Sequence, residues 1–126
     1  MYRMARIGDV CDIRVPKGKV KTDHPNAKYP LINNNGEFMG KVMKYNLPVG
    51  SLLLTSSSQI FRFNEPVWTY EGIIIIPRNE IKSSYLYKTL FDSSSELFEK
   101  KGSKNVLHPW MIEDFQIPVP SIDEQY

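Results

Sequence analysis

Residues Ile73 to Ile76 are four consecutive isoleucines, opened by Gly72 and closed by Pro77. Branching at Cβ restricts the first side-chain torsion, which suits a pleated sheet better than a helix. With no polar residue on either parity, the run offers water no face, and it predicts a central strand buried on both sides. Such a strand needs neighbours, and the chain supplies them. Tyr29–Asn33, Ser51–Thr55 and Gln59–Phe63 are short apolar or alternating runs. Turn formers separate them: Asn33-Asn34-Asn35-Gly36, Pro48-Val49-Gly50 and Asn64-Glu65-Pro66. Met4–Cys11 reads as a short helix or turn leading into a brief strand around Asp12–Val15. Trp68 and Tyr70 alternate about Thr69 as strand neighbours on one face would, which favours core packing.

Helical signals come late. Ser83 or Ser84 can cap Tyr85–Phe91, where Leu86 and Leu90 share a face and Tyr85 and Tyr87 read as packing residues. After the serines at 93–95, a second short helix is expected over Ser95–Lys101. Gly102 stops it, and Lys100 and Lys101 suit its C-terminal dipole. A turn of helix around Pro109–Asp114, anchored on the sheet by Trp110, then leads into a segment held extended by Pro118 and Pro120. Strands first and helices late predict an α+β fold, with a twisted mixed β-sheet in the first two thirds and short helices toward the C-terminus. At 126 residues and 41% hydrophobic, one domain over 1–126 is expected, large enough to build its own core.

Several function classes are poorly served. The single cysteine, Cys11, permits no internal disulfide and fits a reducing compartment. Arg3 and Arg6 precede no apolar core or small-residue cleavage site, and no apolar run approaches bilayer thickness. A cytoplasmic protein without membrane contact is expected. His24 and His108 have no partner at metal-ligand spacing, so no metal is expected. A nucleophile elbow, a Walker loop and a dinucleotide fingerprint are all missing, which points to no cofactor, no catalytic residue and no enzyme acting alone.

Charge is more informative in its distribution than in its total of +2. Residues 1–50 hold nine lysines and arginines against four acids, whereas residues 51–126 hold seven against ten. The densest basic stretch, Arg14, Lys17, Lys19, Lys21 and Lys28, contains Pro16, Gly18 and Pro25, and reads as a loop presenting cations. Phosphate attraction and plain solubility are both open uses for it. Three polar groupings are candidates for contact with DNA. Asn33, Asn34 and Asn35 can pair with adenine in the major groove, or simply turn the chain. In Thr55-Ser56-Ser57-Ser58-Gln59, short hydroxyls can approach phosphates, while Gln59 and the nearby Arg62 can read adenine and guanine. Arg62 can equally be the solvent-facing member of an alternating strand. Lys101, Lys104 and Asn105 flank Gly102 and can position phosphates, or serve the helix end.

The close of the chain carries a further signal. Ser121 followed three residues later by Glu124 has the spacing of a capping box, directly after the two prolines. Ile117-Pro118-Val119-Pro120-Ser121-Ile122-Asp123-Glu124-Gln125 resembles the segment that closes a target-recognition domain in the DNA-specificity subunits of type I restriction-modification enzymes. Ile7-Gly8-Asp9-Val10-Cys11-Asp12-Ile13 resembles that family's opening. Tyr29-Pro30-Leu31-Ile32-Asn33 is similar to its early strand, and Gly50–Ser57 to its central strand and polar loop. The order matches along roughly the whole chain, although the loop Ser56–Arg62 carries no glycine where the family often has them.

The resemblance implies a non-catalytic module that reads about half of a split DNA target, while separate subunits methylate or cut. Double-stranded DNA, methyltransferase and restriction subunits, or a second recognition half are the partners it implies. Residues 121–126 would be the start of a truncated spacer helix. The alternative from another class is a structural or protein-interaction module that reuses the fold inside a larger assembly. The lopsided charge and polar loops favour DNA; the modest net charge and short ending favour the alternative.

Overall fold

The computed structural model describes residues 3–18, 20, 24–33, 35–55, 58–99 and 108–125. In chain order the elements are β1 (Arg3–Arg6), α1 (Ile7–Val10), β2 (Cys11–Arg14), β3 (Tyr29–Ile32), β4 (Phe38–Val42), β5 (Leu52–Leu54), β6 (Ile60–Arg62), β7 (Trp68–Thr69), β8 (Ile73–Pro77), α2 (Ser83–Asp92), α3 (Ser94–Glu99), α4 (Pro109–Asp114) and β9 (Gln116–Val119), followed by a 3-10 turn, Ile122–Glu124. The fold is α+β with mixed strand pairing. The strands divide among three sheets: β2-β8-β5-β6, β4-β3-β7, and the pair β1-β9.

The isoleucine run lies where its composition demands. β8 sits between β2 and β5, antiparallel to both. Its alternate side chains feed two apolar clusters. Ile73 and Ile75 join Leu52, Leu54, Ile60, Leu86, Leu90 and Ile112 on the helical side. Ile74 joins Leu53, Ile32, Leu47 and Val67 on the other side, with Phe61 and Phe63 packed against them. The four-stranded sheet is thus the middle layer, with helices on one face and the three-stranded sheet on the other. Period-two alternation accounts for the division, because successive side chains point to opposite faces.

The smaller sheet has to accommodate Pro30 in its central strand, β3. β4 pairs along the whole of β3, antiparallel, whereas β7 pairs in parallel only at Leu31 and Ile32. The position lacking an N–H therefore lies outside the β7 ladder, which is where a proline is tolerated. β7 also gains a side-chain partner. The Asn46 amide donates to the Thr69 carbonyl at 2.8 Å and accepts from the Thr69 N–H at 2.9 Å, standing in for a strand.

Several local expectations are corrected. Helix within Met4–Cys11 is confined to Ile7–Val10, and Arg3–Arg6 is a strand because β9 supplies a partner, with Arg3 opposite Val119. Phe38–Val42 forms a strand that the sequence did not announce. Neither Ser83 nor Ser84 caps α2. Lys82 occupies the cap position, and the Ser83 hydroxyl donates to the Gly50 carbonyl. Trp110 does not anchor α4: it is 61% exposed and stacks beside His108, while Ile112 holds the helix to the core. The expected capping box does not form either. The Ser121 hydroxyl donates to the Glu124 carboxylate at 2.8 Å and makes no cap hydrogen bond to the turn.

Gln125, just beyond that turn, is buried and tied down. Its Oε1 accepts from the Lys82 N–H at 2.6 Å, and its Nε2 donates to the carbonyls of Glu80 and Pro120 at 2.9 and 3.0 Å. The tail is thereby fixed to the start of α2. Among the described residues no helix is long and apolar enough to cross a membrane, and no group of three metal-ligating side chains occurs.

Candidate nucleic-acid interface

Two of the candidate groupings adjoin turns between strands of the two larger sheets, and Arg62 stands on β6. Asn33 and Asn35 belong to the turn that joins β3 to β4, and most of Asn33 is used in building it. Its Oδ1 accepts from the N–H groups of Asn35 at 2.8 Å and Glu37 at 3.0 Å, and its Nδ2 donates to the Glu37 carboxylate at 3.3 Å. This is an asparagine side chain mimicking backbone, as turns favour. Asn35 is exposed, with a long 3.5 Å contact from its amide to the same carboxylate.

The turn rests on β6. Gly36 has φ +75°, and a Cβ built on it would meet the Phe61 ring at 2.7 Å. Only glycine allows both that torsion and that approach. Phe61 thus holds the asparagine turn close to the loop between β5 and β6, so two of the three polar groupings are neighbours.

That second loop is closed at its base by reciprocal backbone and side-chain bonds. The Thr55 N–H donates to the Gln59 carbonyl at 3.0 Å, and the Gln59 N–H donates to the Thr55 hydroxyl at 3.2 Å. Ser58 adopts φ +64°, a conformation glycine ordinarily supplies. The loop that lacks the family's glycines therefore still makes a left-handed step, at a serine. Ser58 and Gln59 are exposed and, with Ile60, Phe61, Phe91 and Ser94, line a cleft of about 250 Å³. Ser56 and Ser57 lie outside the described residues.

Arg62 is set apart from the asparagine turn by strand alternation. It follows Ile60 on the helical face, and its Nε donates to the Ser83 hydroxyl at 2.7 Å, while Phe61 points the other way. In the basic stretch, Lys17 and Lys28 are exposed, and the Lys28 ammonium lies 5.2 Å from the centre of the Tyr29 ring. The Tyr70 hydroxyl donates to the Val20 carbonyl at 3.4 Å, tying this stretch to the end of β7. Lys19 and Lys21 lie outside the described residues, as do Asn34 and the grouping Lys101, Lys104 and Asn105.

Sequence reasoning passed over two exposed apolar side chains, Phe38 and Met39 on β4. Phe38 and Met39 were hidden because Gly40 and Lys41 interrupt the strand pattern. A second concavity, of about 480 Å³, is lined by Arg6, Arg14, Arg78, Asp12 and Glu113 among others. Its charges are largely spent internally: Arg78 pairs with Asp12 at 2.9 Å, and Arg6 with Asp114 at 2.8 Å. Cys11 borders it, and burial pushes its thiol up to about 12 despite the nearby Arg78 guanidinium, so the group stays protonated.

A family model described as "Type I restriction modification DNA specificity domain" matches residues 2–126. No curated protein matches the chain. Among solved structures, the HsdS subunit from Thermoanaerobacter tengcongensis superposes with a TM-score of 0.73 at 18% identity, covering 98% of this chain and 34% of that one. A structure described as showing complex assembly and conformational transition of the type I R-M system gives 0.79 at 17% identity, covering 98% and 35%. The type I restriction-modification S subunit from M. genitalium gives 0.72 at 12%, covering 94% and 34%. At these identities the likeness is one of fold, and the chain spans about a third of each structure's length.

Proposed function

Because this chain belongs to the family of type I restriction modification DNA specificity domains, we propose that it is a non-catalytic module reading one part of a split DNA target. Methylation and cleavage fall to other subunits, and a second recognition half completes the target. The observation that carries this reading is a family match spanning 2–126 on a fold whose polar loops converge, the asparagine turn resting on β6 beside Ser58 and Gln59. Lys17, Lys19, Lys21 and Lys28 supply phosphate attraction and register, and they carry no sequence information themselves. Base readout falls to Asn34, Asn35, Ser56, Ser57, Ser58 and Gln59. Asn33 shapes the turn, and Arg62 serves from the opposite face. Lys101, Lys104 and Asn105 are assigned to phosphates.

The test is retention of a randomised duplex pool by the purified chain at low and near-physiological salt, beside a variant carrying Lys17→Ala, Lys19→Ala and Lys21→Ala. Enrichment of a short sequence is expected, with affinity falling steeply as salt rises and a shallower salt slope in the variant. Absence of any retained DNA at low salt would remove autonomous DNA recognition.

A further inference from the structure

The hairpin of β3 and β4 carries side chains that the packing leaves unexplained. Phe38 is 61% exposed and Met39 59%, although Phe38 is the cross-strand partner of Ile32, which is buried. β4 is the outer strand of its sheet, with no partner beyond it among the described residues. The ladder is also irregular here. The register shifts between Leu31 and Ile32, and Gly40 takes φ +130°, so Phe38 stands opposite Ile32 while Met39 is the extra residue of a bulge. Met39 lines a largely apolar cleft of about 420 Å³ with Leu31, Thr69 and Tyr70, and the Asn33 amide lies 3.6 Å from its sulfur.

The charge around these residues is one-sided. Lys28 leads into β3, and Lys41 and Lys44 lie on and after β4, all exposed. Glu37 is the single acid between residues 28 and 45, and its carboxylate receives the Asn33 and Asn35 amides. The ribbon thus has cations on both strands near its base and a tip of asparagine, phenylalanine and methionine. A two-stranded ribbon fits the major groove, whose walls are rows of phosphates. The C5-methyl of thymine is the one apolar group on base edges there. Phosphates on two sides match lysines on two strands, and thymine methyls match an apolar tip. A protein strand added to the β4 edge would use the backbone and leave the lysines without a counterpart.

We propose that the β3–β4 hairpin enters the major groove of double-stranded DNA, with Phe38 and Met39 against thymine methyl groups. These two residues then set a preference for A·T pairs at the positions under the tip. The proposal rests on the DNA-reading function above and deepens it.

The test uses two randomised duplex pools, one made with thymidine and one with deoxyuridine, which lacks the methyl. The wild-type chain is compared with a Phe38→Ala, Met39→Ala double variant, both first shown to share one thermal unfolding midpoint. Wild type is expected to enrich thymine at one or two positions and to bind the enriched duplex about fourfold more weakly for each contacted methyl removed. The double variant is expected to retain DNA at low salt but to be indifferent to methyl removal. If wild type enriches a sequence whose binding ignores the methyl groups, or if the double variant keeps the same methyl dependence, the hairpin inference falls and the DNA-reading function stands. If wild type retains no DNA at all, both fall. A self-association lost in the double variant with an unchanged base profile would assign the hairpin to protein pairing and overturn the proposal.

Discussion

Replacing Gln125 by alanine removes three hydrogen bonds at a single buried position. The Lys82 N–H loses its acceptor at 2.6 Å, and the Glu80 and Pro120 carbonyls lose their donor at 2.9 and 3.0 Å. A hydrogen bond of this kind contributes about 0.5–1.5 kcal/mol net. Water can reach some of the freed groups, since Lys82 and Glu80 are exposed residues, so the expected loss is about 2–3 kcal/mol rather than the sum of maxima. For a chain of 126 residues that corresponds to a fall in melting temperature of roughly 8–11 °C. Urea unfolding followed by fluorescence and circular dichroism together reads the loss directly. Gln125→Glu is the discriminating control. It keeps the volume and one acceptor but places a carboxylate oxygen against two carbonyls, so it should lose at least as much as alanine. A Gln125→Glu protein as stable as wild type, or an alanine variant within about 0.5 kcal/mol of it, would show that the tail is held by packing alone.

Two loop substitutions should act with opposite signs. Gly36→Ala forces a Cβ into the Phe61 ring at positive φ and should cost about 2–3 kcal/mol by chemical denaturation. Ser58→Gly relieves a left-handed serine and should leave stability unchanged or raise it by up to about 1 kcal/mol, measured the same way. Cys11 gives a pH prediction. Its thiol is raised from 9.0 to about 12 chiefly by burial, so between those values the native state holds a proton that the unfolded state releases. Stability relative to a Cys11→Ala variant should therefore decline as pH rises from 9, by at most about 1.4 kcal/mol per pH unit. Alkylation of the native thiol at pH 8 should track unfolding, which a stopped reaction in mild urea would report.

Much of the fold was legible wherever a segment carried its own reason. The isoleucine run, the leucines of β5, Leu86 with Leu90 on α2, and the proline that opens α4 all formed the elements their local chemistry favours. Elements defined by distant partners were not legible. Arg3–Arg6 has only Met4 and Ala5 as apolar members, and it is a strand because β9 lies beside it. β4 carries a bulge and a glycine that erase alternation. Trp110 illustrates the reverse error, in which a large apolar residue was assigned to the interior although α4 needs only Ile112 there. In the candidate interface the loops themselves were visible from composition. Which side chains are consumed by the turn was not visible, because Asn33 and Asn35 differ in bonding and not in type. Gln125 stood in plain view within the closing motif, yet the cap-like spacing of Ser121 and Glu124 drew attention to its neighbours.

The pairing of β1 with β9 has a consequence in time. Arg3 is synthesised long before its strand partner Val119. Ala5, Ile7 and Val10 belong to the large apolar cluster together with Ile117 and Val119, so they remain without part of their cover until the far end has been made. Closing so long a loop is slow relative to forming local turns or helices. The nascent chain therefore passes through an interval in which a strand with an open edge and several apolar side chains face solvent or a chaperone. During that interval its fate depends on how quickly residues 116–119 arrive.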